Sequence, residues 1–207
     1  MTLSATEVNK LKHAPKIEGV LPAILERWSP RAFADRDVSP ADLKKVFEAA
    51  RWAPSSYNEQ PWRFLVGVRG STTFDKIGSA LMPFNQAWAL NAPVLILGVA
   101  KTKFSHNDTA NNYAIFDLGA ASSFITLQAA ALGLATHQMA GFDKAKAREV
   151  FSIPDLYEFG STMALGYQGE PSTLANEQLI TGEVAPRTRK PVSELVLSAW
   201  DQPAKLF

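Results

Sequence analysis

Alternating strand-length and helix-length patterns predict a domain of mixed α and β structure, and by pattern alone a parallel α/β sheet. Residues 94–100, VLILGVA, form an unbroken apolar run of strand length, the mark of a strand covered on both faces. Residues 63–68 (RFLVGV) and 160–167 (GSTMALGY) also read as strands, and helical periodicity fills much of the intervals. The chain has 207 residues and is 46% hydrophobic, enough to build the core of a single domain over residues 1–207.

Residues 1–16 show no clean periodicity and are expected to form an N-terminal arm. Leu21, Ile24, Leu25 and Trp28 fall at i, i+3, i+4 and i+7, one apolar helical face. Ser29 and Pro30 end that helix and leave Arg27, Ser29 and Arg31 at a helix-to-loop corner. Ser39-Pro40-Ala41-Asp42 is a helix start, with a Ser cap, Pro at the first helical position and an acid three residues on. Leu43, Val46, Phe47 and Ala50 continue its apolar face until Pro54. Between Trp52 and Trp62 lies a polar loop containing Pro54, Ser55, Ser56, Asn58, Gln60 and Pro61. Its two prolines fix φ and remove two N–H donors, so it is not helical.

After the strand at 63–68, Phe74, Ile77 and Leu81 mark a short amphipathic helix. Residues 112–132 read as the longest helix, rich in small residues at 119–123, with Gly133 suited to the position past its end. Asp117, Gln128 and several hydroxyls make it a buried helix rather than a membrane span. Residues 134–140 read as a further strand, and Asp143 as the cap of a helix through Phe151. Residues 168–191, with three prolines and little periodicity, are expected to wrap over a surface. Residues 192–200 form a short apolar tail, so 168–207 reads as a C-terminal extension.

The net charge of +1 gives no electrostatic reason to expect nucleic acid or an anionic membrane as partner. The absence of cysteine excludes disulfides, thiolate catalysis and Cys-ligated metals. Three scattered histidines lack metal-ligand spacing, and no metal is expected. There is no dinucleotide-binding glycine fingerprint, no phosphate loop and no nucleophile elbow. The N-terminus has no apolar leader core, and a cytoplasmic protein is expected. A chain this poor in reactive side chains suits an enzyme whose chemistry resides in a cofactor.

Two motifs then identify a resemblance. PSSYNEQPWRF, beginning at Pro54, is similar to the signature loop of the FMN-dependent nitroreductase family, and Arg27-Trp28-Ser29-Pro30-Arg31 resembles that family's Arg-x-Ser-x-Arg/Lys motif. With lesser matches the resemblance runs from about Leu21 to Leu197. It implies an α+β fold whose mostly antiparallel central sheet is sandwiched by helices. It also implies an intertwined homodimer completed by the C-terminal extension of the other subunit. This overrides the parallel sheet that pattern alone suggests.

The resemblance carries over site residues one by one. Arg27 and Ser29, with Trp28 between them, would meet the FMN phosphate, and Arg31 the ribityl chain or the N1–O2 edge. Pro54, Ser55, Ser56 and Asn58 would reach the flavin from the second subunit. Asn85 aligns with an asparagine that bonds the pyrimidine edge. Met139-Ala140-Gly141 resembles a strand end whose backbone N–H groups at Ala140 and Gly141 face N5 and O4. Arg187 and Arg189 match a C-terminal basic pair that completes the phosphate site. Without the family, the loop would read as a self-bonded αβ connection, the first arginines as a helix C-terminal cluster and the last as a solvated run.

The implied activity is ping-pong hydride transfer. NADH or NADPH reduces FMN at N5, and a small-molecule acceptor, a nitroaromatic, a quinone or a free flavin, reoxidises it without any protein nucleophile. The alternatives are other flavin chemistry on the same fold (dehalogenation, enone reduction, flavin destruction) or a flavin-binding module without turnover. Residues 101–112, with Phe104 and His106, and the later Tyr113 and Phe116 are candidate acceptor-pocket aromatics.

Overall fold

A computed structural model describes residues 3–206. Its centre is a four-stranded sheet of β1 (Trp62–Val68), β2 (Val94–Lys101), β3 (Ala135–Met139) and β4 (Tyr157–Gly166), in the order β1-β2-β4-β3. Every pairing is antiparallel. The parallel sheet suggested by pattern alone is therefore corrected, and the α+β expectation holds.

The physical reason lies in the connection after β1. α4 (Thr72–Ala80) and α5 (Pro83–Ala89) run out and back, split at Leu81 and Met82 ahead of Pro83. The chain thus re-enters the sheet at the end it left: Val68 pairs with Val94, and the Arg69 N–H donates to the Pro93 carbonyl at 2.9 Å. Strand and helix alternation does not encode that return.

β2 is buried along nearly its whole length, as its apolar run requires. Leu95 and Leu97 face one core, with Phe74, Ile77, Trp88, Phe142 and Phe159. Val94 and Ile96 face the other, with Val46, Ala50, Leu118, Ile125 and Met163. α3 (Pro40–Arg51) and α6 (Ala114–Ala131) cover the second face, while α4, α5 and α7 (Lys144–Phe151) cover the first. α6 lies close on the sheet because β4 offers no side chain at Gly160: a methyl there would stand 2.6 Å from Leu118 Cδ2.

Local signals worked where expected. Ser39 caps α3 by accepting from the Asp42 N–H, Asp143 caps α7 by accepting from Lys146, and Gly133 takes φ +73° past α6. Three expectations need correction. The N-terminal arm contains α1 (Ala5–Lys12), held by a reciprocal Ser4–Glu7 capping box, a local signal that outweighs missing periodicity. Residues 168–191 contain α8 (Glu177–Val184), capped by Asn176. The helix after Leu21 is only α2 (Pro22–Glu26), and Leu21 and Ile24 on its apolar face are exposed.

α6 alone among the described residues is long and apolar enough to cross a bilayer, yet it packs on the sheet and on α3. The inward half is buried at Ala114, Asp117, Leu118, Ala121, Ile125 and Ala129. Its outward half exposes Ile115, Phe116, Gly119, Ser123 and Phe124. The last segment, β5 (Leu197–Ala199) paired with β6 (Gln202–Pro203), is an exposed hairpin that leaves Trp200 87% accessible.

Candidate functional site

The corner after α2 and the chain beyond α8 meet in space. Arg27, Ser29, Arg187 and Arg189 line one cavity of about 230 Å³. Ser29 Oγ accepts from Arg27 Nη2 at 3.1 Å. Arg187 donates to the Leu25 and Arg27 carbonyls at the C-terminal end of α2, where the Leu25 carbonyl also accepts from the Ala14 N–H. Arg187 is thereby an anchor of the C-terminal segment as well as a cavity residue. Arg189 donates only to the adjacent Thr188 carbonyl.

Among the described residues no carboxylate lines this cavity. Burial, then the charges of Arg187 and Arg189, lower the Arg27 guanidinium from its ordinary value; burial and Arg189 do the same to Arg187. Arg27 Nε and Arg31 Nε are buried without a hydrogen-bond partner among the described residues. Like charges forced together, with donors left over, suit a multiply charged anion such as a phosphate monoester.

Two residues missing from the sequence-based set stand here. Lys12 of α1, 6% exposed, also lines the cavity. Glu183 of α8 is fully buried, and its carboxylate accepts from the backbone N–H groups of Arg31 and Ala32 at 3.0 Å. It fixes the corner that presents Arg27, Ser29 and Arg31. Sequence pattern offered no signal for either, since both lie on short helices outside the matched motifs. Trp28 contributes by packing: its indole N–H donates to Asn9 Oδ1 at 2.8 Å and ties α1 to the corner.

Arg27 and Ser29 continue into a second cavity of about 450 Å³, whose walls include Ser123 and Thr126 of α6 and Gln138 of β3. Arg31 turns toward α5, 5.8 Å from the Phe84 ring and 6.0 Å from the Trp88 ring. Asn85 lies on α5, 9% exposed, and its Nδ2 donates to the Gly141 carbonyl at 2.9 Å. A methyl on Gly141 would stand 2.7 Å from that Nδ2. Met139 is buried at the end of β3, and beyond it the amides of Ala140 and Gly141 donate to no backbone acceptor outside the strand ladders among the described residues.

The signature-like loop lies elsewhere: Pro54, Ser55, Ser56 and Asn58 line neither cavity. Ser55 Oγ accepts from the Gln60 N–H at 3.0 Å, and Asn58 Oδ1 from the Gln60 side chain at 3.2 Å. The Ser56 N–H donates to Asp117 Oδ2 of α6 at 3.0 Å, which explains a carboxylate inside that apolar helix. Tyr57, Asn58 and Gln60 hold φ of 52°, 53° and 51°. Three non-glycine residues in the left-handed region store strain that the surrounding bonds must hold, a pattern common where backbone is shaped for a ligand. The exposed Tyr57 ring meets Phe104 at 5.5 Å and His106 at 5.9 Å. Glu59 clamps the two loops together by accepting from the Ser105 N–H and hydroxyl. Tyr113 and Phe116 are 61% and 76% exposed, so they are surface and not core. No group of acids and histidines suited to a metal occurs among the described residues.

The model of the nitroreductase family matches residues 24–82 and 70–167. An Archaeoglobus fulgidus protein, whose provisional name pairs NADH dehydrogenase with NAD(P)H nitroreductase, is 34% identical over 155 residues, 73% of this chain and 86% of that protein. The NADH dehydrogenase of Thermus thermophilus is 29% identical over 72% of this chain and 86% of its own. Among solved structures, an oxidoreductase containing FMN superposes with a TM-score of 0.84 at 32% identity, covering 92% of this chain and 97% of that one. A Desulfovibrio desulfuricans protein solved in complex with FMN does so at 0.70 and 25% identity, covering 89% and 98%.

Proposed function

The chain belongs to the nitroreductase family and is a flavoprotein oxidoreductase, and on that premise we propose that it is a homodimer that oxidises NADH or NADPH and reduces a small planar acceptor. The acceptor class is nitroaromatic, quinone or free flavin. Bound in the basic cavity, FMN would supply the hydride-accepting redox chemistry that the side chains of this chain lack.

The observation that carries this reading is the crowding of Arg27, Arg187 and Arg189 around a cavity that, among the described residues, has no carboxylate wall and a buried, unpartnered Arg27 Nε. A dianionic phosphate satisfies those groups. Arg31, four residues beyond Arg27, lies 5.8 Å from the Phe84 ring on α5, the helix that also carries Asn85. The amides of Ala140 and Gly141, which donate to no backbone acceptor outside the strand ladders among the described residues, would suit N5 and O4 of the ring, and Asn85 braces that turn. Ser55, Ser56 and Asn58 complete the ring site from the second subunit. The protein's share is positioning, water exclusion and charge complementarity.

Three features support the dimer. The signature-like loop and the basic cavity do not meet within one chain. Leu21 ahead of α2, Ile24 within it, and Phe116 and Phe124 of α6 are exposed apolar side chains. The 192–206 segment, with Leu195 and Trp200 exposed, leaves the body of its own subunit as an arm for the other.

Purified protein is expected to be yellow, with about one FMN per chain, and to oxidise NADH or NADPH faster when a nitrobenzoate, a quinone or FMN is added. A preparation that FMN cannot reconstitute would remove the proposal. One that binds FMN but never turns over would leave a flavin-binding module.

A further inference from the structure

The anion cavity has a cation that neither motif supplies. Lys12, on α1 of the N-terminal arm, lines it together with Arg27, Ser29, Arg187 and Arg189. Its side chain is 94% shielded, since only 6% of the residue is accessible. Its single hydrogen bond to protein is long, 3.4 Å from Nζ to the Gly182 carbonyl. An ammonium carries three N–H donors, so two are left for a partner in the cavity. The ammonium lies over the Trp28 indole, with Nζ 4.8 Å from the ring centroid, and Trp28 is itself fixed by Asn9 of the same helix as Lys12. Lys12 is therefore aimed by packing.

Among the described residues Lys12 has no full counter-ion. No carboxylate oxygen lies within 4 Å of Nζ in any ion pair formed among the described residues. Glu183, the one buried acid close by, spends its oxygens on the Arg31 and Ala32 amides. Burial pushes the Lys12 ammonium below its ordinary value; the Glu183 charge counters that, and Arg31 and Arg187 add to it. A buried charge left in that condition calls for an anion from outside the chain.

We infer that Lys12 is a fourth cationic ligand of the phosphate of FMN, so that the N-terminal helix is part of the cofactor site, with Glu183 as a positioning residue behind it. The inference rests on the proposed reading of the cavity as an FMN site. It predicts that α1 docks more firmly when a phosphorylated flavin is present, because the phosphate supplies the missing partner.

The test compares FMN with riboflavin, which lacks the phosphate, on apo protein. Wild type is expected to prefer FMN. In Lys12→Met, which keeps an unbranched side chain of similar length and removes the charge, FMN should weaken roughly tenfold or more while riboflavin stays unchanged. Lys12→Arg should retain most of the FMN preference. Lys12→Gln provides the same readout should the Met variant fold poorly, and the ratio taken within each protein cancels any general loss. An unchanged FMN-to-riboflavin ratio in a folded variant overturns the inference and leaves the FMN reading standing. Equal loss of both ligands assigns Lys12 to packing alone and likewise overturns it. Wild type that binds neither ligand would defeat the FMN reading itself.

Discussion

Asn85 Nδ2 donates to the Gly141 carbonyl at 2.9 Å, and the space that a Gly141 side chain would need is taken by the same amide. Asn85 is 9% exposed, so the clash in Gly141→Ala is relieved only by giving up that bond. A buried amide left unpaired costs about 1–3 kcal/mol. Gly141→Ala is expected to lower thermal stability and to weaken FMN and riboflavin equally, since the damage is at the ring end. A titration of both ligands checks this: a loss confined to FMN would place Gly141 at the phosphate instead.

The two C-terminal arginines should separate. Arg189 has only a local bond to Thr188, so Arg189→Ala removes a cation and little else. FMN should weaken roughly 10- to 150-fold, the worth of one charge-assisted hydrogen bond of about 1.5–3 kcal/mol, with riboflavin and melting temperature unchanged. Arg187 also holds the Leu25 and Arg27 carbonyls. Arg187→Ala should cost stability as well and free the C-terminal segment to protease. Equal melting of the two variants would remove the anchoring role.

The difference between these arginines shows where sequence reading reaches its limit. Arg27, Ser29 and Arg31 sit inside five residues, and Asp143 and Ser39 announce helix starts through local hydrogen bonds that any sequence displays. The donors spent by Arg187 are set by residues about 160 positions away. Glu183 and Lys12 are charged residues on short helices, where exposure is the ordinary expectation. Only the packing of α1 and α8 against the corner buries them. Strand direction was hidden for a related reason, since it depends on the reversal between α4 and α5 and not on the content of either strand.

His137 gives a pH signature. It packs 4.5 Å from the Trp88 ring centroid, and its Nδ1–H donates to the Pro30 carbonyl at 3.0 Å, since a carbonyl can only accept. Burial, offset in part by that bond and reinforced by the nearby Arg31, pushes its pKa down to about 4. The unfolded chain titrates near 6.5, so it binds more protons than the native state between those values. Stability is full above about pH 6.5 and falls as pH drops toward 4, by about 3 kcal/mol in all. Glu183, raised by burial, works in the opposite sense, so the comparison must be with His137→Gln. Denaturant midpoints from pH 7 to 4 should fall less steeply in the variant. Parallel curves would show that His137 does not carry the effect.

Gly119 provides the sharpest test of the dimer, because one chain and two chains predict opposite signs. It lies in the middle of α6 on the exposed half, and a methyl added there would meet nothing within 4 Å in its own chain. In a monomer, Gly119→Ala should therefore stabilise by about 0.5–1 kcal/mol through helix propensity alone, and Gly119→Leu should be harmless. If the outward half of α6 packs on a second subunit, the backbone there is in close contact and a larger side chain has no room. Gly119→Leu should then dissociate the dimer. Because the signature-like loop and the basic cavity would be parted, FMN should leave with it, and the apparent melting temperature should become dependent on protein concentration. Sedimentation velocity with flavin absorbance reads both properties in one run. A Gly119→Leu protein that stays dimeric and yellow would move the interface away from α6, and one that is monomeric yet retains FMN would show that a single chain builds the whole site.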